Sequence, residues 1–89
     1  MVSEDWHTEQ LARRADELRT RCLLAGQAFV AAEEHAAEVF DELADRGGDR
    51  AAYRRGLAER ARMEAARAGA VMSRMEHAEA IRQAGTGSR

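Results

Sequence analysis

Asp45-Arg46-Gly47-Gly48-Asp49-Arg50 is the stretch that decides the fold. Between Asp5 and Ala84 the glycine pair is the only strong helix-breaking signal, and the chain contains no proline. Gly47 suits the left-handed position that ends a helix, and Asp49 suits the cap that starts the next one. Apolar residues recur at helical spacing on both sides of the break, so the stretch reads as a turn between two long helices. A short connection makes the helices antiparallel neighbours. The expected organisation is helix one over about residues 5–45, a turn at 46–49, helix two over about 50–84, and a disordered tail at 85–89. Helix one is expected to start between Ser3 and Thr8, with Ser3 followed by Glu4 and Asp5 as one cap and Thr8 followed by Glu9 as the alternative.

Before the turn, Leu11, Ala15, Leu18, Cys22, Ala25, Phe29, Ala32, Ala36, Val39 and Leu43 alternate steps of four and three without a slip. That is a heptad seam, and it predicts the face that packs on helix two. After the turn, Tyr53, Leu57, Ala61, Ala65, Ala68, Met72 and Met75 supply the answering stripe, interrupted by Glu64. Folding about residue 48 would set Phe29 against Ala68 and Cys22 against Met75. A second apolar strip of Leu23, Leu24, Val30, Ala31 and Ala37 lies off that seam. Its cluster at 23–31 predicts a second contact surface. Leu23, Leu24 and Val30, with Trp6 in the overhanging start of helix one, are the candidate partner-binding residues.

Composition bounds the rest. With 89 residues the chain is one domain, and 20 of its 40 apolar residues are alanine, which bury little area each. A lone hairpin of this make-up predicts self-association or a helical protein partner. The expected fold class is therefore all-α, an antiparallel two-helix hairpin that dimerises into a four-helix bundle.

Charge is segregated. Residues 1–45 carry eleven acids and four arginines, a formal −7, and residues 49–84 carry eight arginines and five acids, a formal +3. Two oppositely charged helices lying side by side account for this. The arginines of helix two also raise nucleic-acid binding, but acids interleave with them, lysine is absent and Tyr53 is the only nearby aromatic, which disfavours it.

His35, with Glu38 one turn on and Glu64 across the hairpin, raises a metal site, but helix two offers no matching Glu-x-x-His pair. Glu4 and His7 form one such spacing, at the start of the chain. Cys22 reads as a small seam hydrophobe, and the lone cysteine excludes an internal disulfide. The glycines form no phosphate loop. No cofactor and no enzymatic activity are expected. No apolar run reaches the ~20 residues of a membrane span, and the acidic start is not a signal peptide, so the expected location is cytoplasmic.

His35-Ala36-Ala37-Glu38-Val39, Leu43-Ala44, Gly47-Gly48-Asp49 and the stretch from Arg54 to Arg67 resemble the small Ala/Arg/Glu-rich helical-hairpin proteins of high-GC, actinobacterial-type bacteria. The resemblance covers about a third of the chain and implies a helical hairpin with no assigned site. The spaced Glu, Ser, Arg, Gln and Asp signature of short anti-sigma factors that bind cyclic di-GMP is not reproduced.

Overall fold

In a computed structural model, which describes residues 2–87, the chain forms two helices and no strand. Helix α1 spans Val2–Asp45 and helix α2 spans Ala51–Gly87. They pack against each other along an antiparallel hairpin. Two boundaries differ from the sequence expectation. The backbone of α1 is already helical at Ser3, and residues 85–87 continue α2 instead of starting a disordered tail. Residues 88 and 89 lie outside the described residues. Gly85 costs about 1 kcal/mol relative to alanine in a helix, but it does not break one, and no proline follows it.

The turn forms as its glycines dictate. Gly47 and Gly48 have φ of 80° and 93°, a region where a side chain would be strained. The Gly47 N–H donates to the Ala44 carbonyl at 2.9 Å, one of the two bonds of a Schellman ending. The Leu43 carbonyl accepts from Arg54 Nη1 at 3.4 Å, so a side chain of α2 serves a carbonyl that α1's last turn leaves open. The start of α2 is bonded from Ala51 N–H to the Gly48 carbonyl, 3.2 Å, and from Arg54 N–H to the Arg50 carbonyl, 2.9 Å.

The seam between the helices is a heptad, but it is displaced by one residue from the predicted one in α1. The α1 residues turned toward α2 are Arg19, Leu23, Gly26, Val30, Glu33, Ala37, Phe40 and Ala44, all buried or half-buried. Facing them are Arg54, Ala58, Ala61, Ala65, Ala68, Met72, Met75 and Glu79. Gly26 meets Met72, Arg19 meets Glu79, and Ala37 clusters with Ala58 and Ala61, with Phe40 against them. The fold axis is thus at residue 49, and Val30, not Phe29, stands at the level of Ala68. In α2, the expected Ala61, Ala65, Ala68, Met72 and Met75 are all in the seam, but Tyr53 is exposed.

Small residues explain the phase. Gly26, Ala37 and Ala44 on α1, with Ala58, Ala61 and Ala65 on α2, let the helices approach closely. Phe29 and Leu18 in the same place would hold them apart. Among the described residues the buried ones are five alanines, 37, 44, 58, 61 and 65, and no large side chain is fully enclosed. With extents of 71 × 25 × 12 Å, the hairpin is a slab one helix thick. Both broad faces therefore meet solvent.

Candidate interaction face

Two apolar strips run along α1, one residue apart and with the same steps. The strip from Leu23 through Val30 and Ala37 to Ala44 is used by α2. The strip from Leu11 to Leu43, the one the sequence nominated as the seam, is largely open: Leu11, Leu18, Phe29 and Val39 are all exposed, as is Cys22. Its ten positions carry no charge over more than four heptads. A helix with two such strips has two partners' worth of seam.

Residues one position before the seam lie on the same broad side of both helices in an antiparallel pair. On α2 these positions include Tyr53, Leu57, Val71, Ala78 and Ile81. Seven of the ten exposed large hydrophobics among the described residues therefore share one broad side: Leu11, Leu18, Phe29, Val39, Tyr53, Val71 and Ile81. Leu24, Met63 and Trp6 lie elsewhere. Three arginines, Arg60, Arg67 and Arg74, with Glu64, occupy the rest of α2's contribution to that side.

The other broad side is polar. Asp41 pairs with Arg62 there, and Asp45 pairs with Arg55 at 3.3 Å. One groove on it is lined by Glu34, Glu38, Arg62, Ala66 and Gly69, among others, and a second by Thr20 and Gln83 with the Arg19–Glu79 pair. At the open end of the seam, Asp16, Arg19, Glu79 and Arg82 form a chain of alternating charge, with Asp16–Arg19 at 2.9 Å and Arg19–Glu79 at 3.6 Å. The pairs join an acidic α1 to a basic α2 near the turn, which is where the segregated charge meets. Exposed pairs of this kind add ~0–1 kcal/mol each and act more on register than on stability.

The four nominated partner-binding residues divide. Leu23 and Val30 are half-buried in the hairpin's own seam: Leu23 lines a groove with Met75, and Val30 one with Ala65 and Gly69. α2 takes the face those two side chains form, so the apolar strip left exposed is the neighbouring one and not the expected one. Leu24 is exposed but sits one position past the seam, on the polar side. Trp6 is exposed in the overhang of α1, edge-on to His7 with ring centroids 5.5 Å apart.

The metal and nucleic-acid alternatives gain no geometry. His35 and Glu38 are both exposed and 4.0 Å apart, while Glu64 engages Arg67 at 3.4 Å. Among the described residues no group of three metal-ligating side chains comes together. Arg55, Arg62, Arg67 and Arg82 pair with acids, and Arg54 serves the Leu43 carbonyl, so the basic residues of α2 do not form an isolated stripe. Among the described residues no helix is long and apolar enough to cross a membrane.

The exposed surface is large for the mass. The hairpin exposes 7313 Å² at 9.8 kDa. A globular monomer of that size exposes roughly 5,200 Å². Comparison of the chain with family models, curated proteins and solved structures gave no match.

Proposed function

We propose that this chain is a non-enzymatic interaction module, an adaptor or regulator that works by docking a helical surface onto the open face of α1. The observation that carries the reading is the uncharged heptad strip of Leu11, Leu18, Phe29 and Val39, left exposed while its neighbouring strip packs on α2. An apolar helix face with 3.5-residue spacing is the surface that recognises another helix. A contiguous apolar face on a soluble helical slab costs solubility unless it is covered. Leu18 and Phe29, at the middle of the strip, are the expected anchors.

The test follows the diffusion of a fluorescently labelled chain, both in buffer across a concentration range and in extract of its native cell. Wild type and Leu24→Glu should form a slower species to the same extent, and Phe29→Glu should not. Association of Phe29→Glu at the wild-type level would sink the reading, as would the absence of any slow species with wild type.

A further inference from the structure

We infer that the occupant of the open face is a second copy of this chain, packed α1 on α1 in antiparallel sense about a two-fold axis beside Gln27. This rests on the docking reading above and adds the partner and its register. Three observations converge on it.

The first is shape. With the two-fold axis at the level of residue 27, Phe29 meets Ala25 of the second copy, Leu18 meets its Ala36, and Val39 meets its Ala15. Every large side chain in the body of the strip then faces an alanine, the alternation that interdigitated seams require. An isologous contact demands this self-complementarity, because each pairing occurs twice.

The second is charge. Residues 33–45 of α1 hold six acids and no arginine, whereas residues 9–21 hold four arginines and three acids. Antiparallel pairing lays the acidic half on the arginine-bearing half, with Arg14 opposite Glu42 at the rim. Parallel pairing would lay the acidic half on the acidic half and the arginine-bearing half on its own kind. Packing α1 on the second copy's α2 would instead press the apolar strip onto Arg60, Arg74 and the Glu64–Arg67 pair, which desolvates charge against a strip that offers no polar partner. An uncharged strip is best covered by an uncharged strip, and α1 supplies the one in this chain.

The third is area. The hairpin exposes about 2,100 Å² more than a globular monomer of its mass. A standard interface hides ~800 Å² on each partner, so a dimer removes a large part of that excess.

The experiment cross-links full-length chains in a Cys22→Ala background, with either Ala28→Cys or His35→Cys added. Both sites are exposed on the outer edge of the strip. A short bis-maleimide should link Ala28→Cys chains, which meet at the axis. It should leave His35→Cys chains unlinked, because their sites stand about 20 Å apart along the helix. Sedimentation equilibrium of the unlinked wild type should give twice the 9.8 kDa of one chain. Linking of both variants, of His35→Cys alone, or of neither overturns the register. A single-chain mass at every concentration overturns the dimer. If wild type is then still slowed in cell extract through Phe29, the docking reading stands and only its partner is different. Circular dichroism of each variant, expected to match wild type, separates a lost contact from a lost fold.

Discussion

Replacing Gly26 with leucine should loosen the hairpin, and replacing Gly56 with leucine should tighten it. Both glycines lie inside helices, where leucine is favoured by about 0.8 kcal/mol. A Cβ on Gly56 meets no heavy atom within 4 Å, so the propensity gain stands alone there. A Cβ on Gly26 would lie 2.6 Å from Met72 Sδ and 3.0 Å from its Cγ. Met72 can swing aside for one methyl group, but the rest of a leucine would enter the same seam. Overpacking of this kind costs about 1–3 kcal/mol. The two variants should therefore differ by roughly 1–3 kcal/mol, which is about 5–20 °C in Tm for a chain of this length. Thermal melts by far-ultraviolet circular dichroism read the difference directly. They must share one protein concentration, because the proposed self-association would make Tm concentration-dependent. The refuting result is a Gly26→Leu protein as stable as Gly56→Leu. Gly26 would then face sideways, and the seam would have the phase that puts Ala25 and Phe29 against α2.

Other consequences are open to simpler checks. Gly47→Ala, at φ 80°, is expected to destabilise the hairpin by about 1–2 kcal/mol in denaturant titrations, since alanine must adopt left-handed backbone there. A double-mutant cycle on Asp41 and Arg62 should give a coupling of about 0.2–1 kcal/mol that shrinks in high salt, because both side chains are partly exposed. Arg54→Ala should cost about 0.5–1.5 kcal/mol, as the Leu43 carbonyl loses the donor that reaches it from α2.

Much of the fold was legible because it depends on period and punctuation. Gly47-Gly48 marked the turn, and the absence of proline marked two uninterrupted helices. The phase of α1 was not legible from its larger side chains. Two strips share the same four-three steps, and the one with more large residues, Leu11 to Leu43, looked like the core. The residues that decide the phase are small. Gly26 carries the signal: a glycine kept in a helix interior marks a close approach, here of Met72. Arg19 and Glu33 obscured the true seam, since charge reads as solvent-facing. Arg19 in fact lies at the seam's open end, paired with Asp16 and Glu79. The same one-residue displacement puts Leu23 and Val30 in the hairpin's own seam and leaves Leu18 and Phe29 exposed. That α1 carries two apolar strips is readable in the sequence; which strip stays open depends on the alanines of α2.

The most direct measurement is sedimentation equilibrium of wild type, Leu24→Glu and Phe29→Glu side by side. Phe29 is 45% exposed in the hairpin. An aromatic side chain buries ~200 Å² when fully covered, so covering the exposed part hides about 90 Å², near 2 kcal/mol per chain. In a two-fold dimer that counts twice, and its loss raises Kd about 10³-fold before the cost of a buried carboxylate is added. The account predicts that wild type and Leu24→Glu associate alike and that Phe29→Glu sediments as a helical single chain. Association abolished by Leu24→Glu and untouched by Phe29→Glu would contradict it.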